Sequence, residues 1–181
     1  PLWYVQAVEN FRTDVRVVVL SYFDTDWYVD QMTRQAYESE PLPFSLTYDN
    51  YRKGTNDVLY LYEREGLDAI SAKEYLRLLK NQSDLLKLQG SNRMTINMVP
   101  ARNIILDIDV EKVYNKGLIP EGMEALVTDQ MNLRVKGEYL TKGNMMLLDL
   151  ITSNNWERPI YFTSPSLEGL GFEPFLRRDG L

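Results

Sequence analysis

Val15-Arg16-Val17-Val18-Val19-Leu20-Ser21-Tyr22-Phe23, followed at once by Asp24-Thr25-Asp26-Trp27, is the stretch on which the fold turns. Its first nine residues are β-branched and nearly continuous in apolar character, which predicts a strand buried on both faces of a parallel sheet. Asp24 or Thr25 then caps a helix whose Tyr28, Met32 and Ala36 form one stripe. Upstream, Tyr4, Val8 and Phe11 recur at helical spacing behind Pro1, a residue suited to a first helical turn. Helix, strand and helix in immediate succession is the rhythm of a doubly wound sheet, in which a helix returns from a preceding parallel strand.

The expected fold is therefore α/β, with a Rossmann-like, mostly parallel sheet flanked by helices. The preceding strand is expected upstream of Pro1, so that residues 1–181 form a single domain cut from a longer chain. Further along, Phe44 to Tyr48 reads as a short strand and Val58-Leu59-Tyr60-Leu61-Tyr62 as a better one. Ser71-Ala72-Lys73-Glu74 has capping-box spacing, and Ala72, Tyr75, Leu76 and Leu79 mark an amphipathic helix behind it. Met94-Thr95-Ile96-Asn97-Met98 alternates strictly, and Pro100 to Asn103 is expected to turn it into Ile104-Ile105-Leu106 as an antiparallel hairpin insert in the second half. Asp109 caps a short helix ending at Gly117, Met131, Leu133 and Val135 alternate as a strand, and Thr141 caps a helix carrying Met145, Leu147, Leu148, Leu150 and Ile151. Pro159-Ile160-Tyr161-Phe162-Thr163 closes the order as a strand begun by proline.

Composition narrows the chemistry. The chain has 181 residues, 44% hydrophobic, enough for one substantial core. Twenty basic residues face 26 acidic ones, for a net charge of −6. Apart from the pair Arg177 and Arg178 there is no basic cluster, so nucleic acid is not an expected partner. With no cysteine and no histidine, a thiolate site, a cysteine nucleophile and a Ser-His-Asp triad are all excluded. No apolar run reaches the roughly 20 residues of a membrane helix. Phosphate-cradling glycine loops do not occur, and Asp107-Ile108-Asp109-Val110-Glu111 lacks the glycine and the ligand spacing of a calcium loop. No cofactor is expected.

Two constellations remain as candidate sites. Asp24, Thr25, Asp26 and Trp27 stand at the C-terminal end of the expected strand, where open α/β sheets place ligands. Two carboxylates at that spacing suit a divalent cation on a nucleotide-sugar phosphate, and the indole suits a sugar ring. The plainer alternative is a helix cap with acidic residues favoured by the helix dipole and a tryptophan anchoring the helix. The second constellation is Asn155, Trp156 and Arg158, between a helix and the last strand. It reads either as a polar and aromatic binding lip, or as a left-handed helix end, an ion-pairing arginine and a preproline approach to the strand.

Several stretches carry a resemblance. Pro1-Leu2-Trp3-Tyr4-Val5-Gln6-Ala7-Val8-Glu9, Arg12-Thr13-Asp14-Val15-Arg16-Val17-Val18, Thr25-Asp26-Trp27-Tyr28-Val29-Asp30-Gln31, Tyr139-Leu140-Thr141-Lys142 and Asn154-Asn155-Trp156-Glu157-Arg158-Pro159-Ile160-Tyr161-Phe162 follow one another in the expected order. Together they resemble a bacterial family of multi-spanning membrane proteins, long labelled a domain of unknown function and now grouped with protein O-mannosyltransferase-like glycosyltransferases of the C-type membrane fold. Residues 41–90 are the least characteristic. The resemblance implies a block of membrane helices upstream, with this domain at the periplasmic face of the inner membrane. It also implies a lipid-linked sugar donor and a catalytic carboxylate on loops of the membrane block, so that no catalytic or metal residue carries over to this chain and Asp24 and Asp26 are not the metal motif of soluble transferases. The expected function is an accessory or substrate-recognition domain that is not catalytic by itself. Its expected partners are its own membrane-helix block and an acceptor polypeptide or glycan. The alternative is a structural or protein-interaction domain of an envelope protein with no sugar role. Exposure of Trp27 or Trp156 beside unpaired polar groups favours binding, and burial favours architecture.

Overall fold

The computed structural model describes residues 2–89, 95–117, 119, 122–163 and 169–176. Pro1, Met94 and the Arg177 and Arg178 pair lie outside them. In chain order the helices are α1 (Leu2–Glu9), α2 (Asp26–Met32), α3 (Tyr48–Tyr51), α4 (Ala72–Lys80), α5 (Val110–Asn115) and α6 (Lys142–Asn154). The strands are β1 (Val58–Leu61), β2 (Ala69–Ser71), β3 (Lys87–Gln89), β4 (Thr95–Val99), β5 (Asn103–Asp107), β6 (Gln130–Arg134) and β7 (Tyr139–Thr141).

The α/β class stands, but the sheets are mixed. One sheet has the order β3-β4-β1-β7 and the other β2-β5-β6. β1 runs parallel to β4 and β2 parallel to β5, while β1–β7, β3–β4 and β5–β6 are antiparallel. β4 and β5 are not the expected hairpin. Instead of reversing, the chain runs on beside residues 62–64, where the Val99 and Pro100 carbonyls accept from Tyr62 N and Arg64 N at 2.9 Å each. It enters the other sheet with Ile104 opposite Ile70.

The deciding stretch also departs from expectation. Residues 15–19 form no strand and pair with no strand among the described residues. Their ends are tied locally, with Val15 O accepting from Gln6 Nε2 at 2.8 Å and Val19 N donating to the Tyr28 hydroxyl at 2.8 Å. Residues Leu20–Asp24 then wind into a 3-10 turn. β-Branched residues fit a pleated surface, but that fit is realised only against neighbouring strands. Residues 159–163 likewise carry no strand assignment. Phe44 to Tyr48 is not a strand because a side chain takes its amides: Asp149 accepts from Ser45 N and Leu46 N. The chain then turns at Thr47 into α3 through a Thr47–Asn50 capping box.

Helices whose caps and stripes agree form as read. α4 buries Ala72, Tyr75, Leu76, Leu78 and Leu79, although Glu74 pairs with Arg77 rather than completing the capping box. Each fully buried leucine contributes roughly 1.5–3 kcal/mol. The Asp109 carboxylate caps α5 by accepting from Lys112 N at 3.0 Å, and Gly117 beyond it has φ +64°, the left-handed value that glycine adopts without strain. α2 keeps Tyr28 and Met32 buried but stops at Met32, short of Ala36.

α6 lies at the centre. Met145, Met146 and Leu148 are fully buried, and the helix packs on the Leu20–Asp24 turn and on α4. Among these apolar neighbours sits Asp149, itself fully buried. It accepts from Ser45 N and Leu46 N at 2.9 Å, from Ser45 Oγ at 2.6 Å and from Ser153 Oγ at 2.9 Å. Breaking such a set leaves buried amides without an acceptor. Asp149→Ala is expected to destabilise the chain by roughly 2–4 kcal/mol in urea denaturation. Asp149→Asn is also expected to destabilise it, because an amide NH₂ facing Ser45 N and Leu46 N sets donor against donor.

Candidate functional site

The first constellation sits where the 3-10 turn meets α2, and its carboxylates are occupied with backbone. Asp24 does not cap α2. Its Oδ1 accepts from Gly143 N at 2.7 Å, so it caps the first turn of α6, 119 residues away. That turn also carries a Thr141–Asn144 capping box, and α6 therefore begins with donors satisfied from two directions. Thr25 Oγ1 donates to Tyr22 O at 2.7 Å. Asp26 accepts from Trp27 N at 2.8 Å and from Lys53 N at 3.1 Å. These bonds hold the Asp26 carboxyl below the usual aspartate value, Lys53 N contributing most, against the opposing effect of desolvation.

Trp27 behaves differently. Its side chain is 58% exposed, beside Tyr22 at 6.1 Å and Tyr28 at 5.6 Å between ring centres. Tyr22 is 44% exposed whereas Tyr28 is buried. The result is an aromatic platform of two wet rings braced by a dry third.

The bond from Asp26 to Lys53 leads to residues that sequence reasoning did not single out. The loop 52–57 is held from three sides. Asp26 holds Lys53 N, and Asn97 Nδ2 donates to Asn56 Oδ1 at 2.7 Å from β4. From α6, Lys142 forms an ion pair with Asp57, and its Nζ donates to Arg52 O at 3.5 Å. Lys142 is only 2% exposed, so its charge is buried and must be paired. The signal available was a lysine at the first position of a helix with an apolar middle.

The second constellation lies at the other end of α6, roughly 20 Å along thirteen residues. The structure does not bring the two together. Asn155 takes the left-handed conformation, with φ +42°, and ends the helix; Trp156 has φ +62° and is half-buried. Arg158 donates to the Glu40 and Pro41 carbonyls at 3.2 and 2.9 Å. Arg16 reaches the same loop at Arg34 O, 2.5 Å away. Burial pushes the Arg16 guanidinium below its usual value, and the charge of Arg158 adds to the shift. Glu157 pairs with Lys112 and Lys116 at 2.5 and 2.6 Å, and their hydrogen bonds bring its carboxyl down to about 2. This end is a clamp on loops, not an open lip.

Among the described residues no group of three or more histidine, cysteine, aspartate or glutamate side chains stands together as a metal site. What the first constellation offers is an exposed indole face, with Tyr22 tilted 48° and Tyr28 79° against it, beside a pinned polar loop. The family model described as TMEM260-associated domain 2 matches residues 1–181. Comparison with curated proteins and with solved structures found no match.

A pH titration checks the role assigned to Asp26. Because its folded value is depressed, its stabilising contribution is present above the ordinary aspartate value and is lost as pH falls through the depressed one. Carboxyl NMR of the folded chain is expected to place Asp26 below a model aspartate, with the Lys53 amide shift following the same curve. A normal Asp26 value, or a Lys53 amide indifferent to it, contradicts the assignment.

Proposed function

We propose that this chain, which belongs to the TMEM260-associated domain 2 family, is the extracytoplasmic accessory or substrate-recognition domain of a membrane glycosyltransferase and is not catalytic by itself. The observation that carries the reading is the exposed Trp27 platform. An indole more than half exposed and stiffened by two tyrosines is costly to leave wet and well suited to receive a flat apolar face. Asp24 and Asp26 are engaged with backbone amides, so the binding role passes from the carboxylates to the rings and to the loop that Asp26 holds. The resemblance to C-type transferases supplies the sugar chemistry, the lipid-linked donor and the periplasmic placement. Among the described residues no helix is long and apolar enough to cross a membrane, so in this reading the catalytic block lies elsewhere in the parent.

A second reading rests on α1. Leu2, Trp3, Tyr4, Val8 and Phe11 are each about half exposed or more, and Gln6 is the one buried residue of the helix. The residue 15–19 segment beside it has no strand partner among the described residues. In this reading the domain packs that apolar face on its own membrane-helix block or on a neighbouring envelope protein, without a sugar role.

Deleting the domain from the full-length parent and comparing glycan attachment to envelope proteins separates the two. The recognition reading expects attachment to fall, expects Trp27→Ala to reproduce part of the loss, and expects the purified chain to transfer no sugar alone. Unchanged glycosylation in the deletion, or turnover by the isolated chain, contradicts it.

A further inference from the structure

Beyond the platform, α2 packs on α3, and α3 together with the pinned loop walls a cleft of about 550 Å³. This lies within the roughly 300–1,000 Å³ typical of small-molecule sites. Ligand pockets are usually lined mostly by apolar groups. Here all nine lining residues are polar or charged. The lining therefore favours a hydrogen-bonding ligand over an apolar one. The lining charges balance, with Asp49 and Asp84 against Arg52 and Lys87, so neither an anion nor a cation is selected by net charge. Asp84 and Lys87 also pair with each other at 2.7 Å.

The remaining lining groups are mainly amides, and hydrogen bonds hold Asn50, Asn56 and Asn97. Asn50 is 1% exposed; its Oδ1 accepts from Thr47 N at 2.9 Å and its Nδ2 donates to Leu79 O at 3.2 Å. Asn56 Nδ2 donates to Asn50 O at 2.9 Å, and Asn97 joins the chain of amides at Asn56 Oδ1. Asn56 adopts left-handed backbone, with φ +53°. Gln82, with φ +50°, ends α4, its N donating to Leu79 O and Ser83 N to Leu78 O at 3.0 Å each. Asp49, Arg52, Thr55 and Gln82 also line the cleft, and among the described residues their side chains make no hydrogen bond or ion pair, so their donors and acceptors are not used within the fold.

We infer that this cleft binds a neutral saccharide, through planar amide, carboxylate and guanidinium groups that meet ligand hydroxyls. A hydroxyl donates once and accepts twice, so a polyhydroxyl ligand needs donors and acceptors side by side. Gln82, the remaining capacity of Asn56 and Asn97, the Asp49 carboxylate and the Arg52 guanidinium supply that mixture, whereas the Asn50 amide is buried and fully bonded and only holds the wall. The wall is held by Asp26, Lys142 and Asn97 before any ligand arrives, which lowers the ordering cost of binding. The inference rests on the recognition reading above and names the substrate class for the polar side of the same surface.

The test is an NMR titration of the purified chain with methyl glycosides of glucose, galactose and mannose and with neutral disaccharides. Glucose 6-phosphate and glucosamine serve as charged controls. Saturable shifts are expected at Asn56, Gln82 and Asn97, with the charged sugars binding no more tightly than the neutral ones. Gln82→Gly removes a contacting amide while relaxing a left-handed residue. It is expected to weaken binding at least about tenfold without lowering the melting temperature. The inference is overturned by a lack of shifts with every sugar, by preference for a charged sugar, or by full affinity in the Gln82→Gly chain. Shifts confined to Trp27 and Tyr22 also overturn the cleft, yet leave the recognition reading standing. Cleft binding in a parent whose glycosylation survives loss of the domain has the opposite meaning, removing the transferase role and keeping the saccharide site.

Discussion

A carboxylate removed entirely from water must find donors, and Asp149 finds them on a loop more than a hundred residues earlier in the chain. That requirement shapes the middle of the molecule. Ser45 and Leu46 give their amides to Asp149 and so are not available to a strand ladder. Thr47 then turns the chain into α3, and α3 contributes the floor of the polar cleft through Asn50. The helix that carries Asp149 is mostly buried, with an apolar middle and polar ends, and its polar side chains fix where the surrounding loops lie.

The same logic operates along the whole of α6. At its start, Asp24 caps Gly143 N and Lys142 ties down residues 52–57. At its end, Asn154 bonds to Arg158 O, and Arg158 in turn secures residues 40–41. A buried charge is weak evidence for net stability, because desolvation offsets much of the Coulomb gain. Its better attested effect is specificity, since any arrangement that leaves the charge unpaired is strongly disfavoured. In this chain it specifies the position of loops that lie outside the strand ladders. The aromatic platform and the cleft both lie at the α6 start, where the pinning is densest.

Helices were legible in the sequence because their signals are local. Thr141 with Asn144, Asp109 ahead of Val110, and the stripe from Ala72 to Leu79 each lie within a turn or two of the chain. Strand pairing was not legible in the same way. Residues 15–19 have the composition of a central strand, but a strand exists through its neighbours, and none of the described strands adjoins them. The hairpin expected from Met98 to Ile104 failed for a related reason, as residues 62–64 offer donors that keep the chain running forward. Of the candidate site residues, Trp27 is exposed, whereas Asp24 and Asp26 bond to backbone amides distant in sequence, which no local motif signals. The cleft was invisible, because its amides come from segments around residues 50, 82 and 97 whose spacing follows no motif.

The central claim is that polar groups of α6 hold loop 52–57, and with it the proposed recognition surface, in place. Amide hydrogen exchange in a Lys142→Met chain tests it most directly, since methionine keeps the buried volume and removes the charge. Faster exchange at Lys53, Gly54 and Thr55, with protection in β5 and β6 unchanged, is the result this account predicts. Unaltered protection throughout residues 52–57 contradicts it, because the loop then holds its shape without the Lys142 charge.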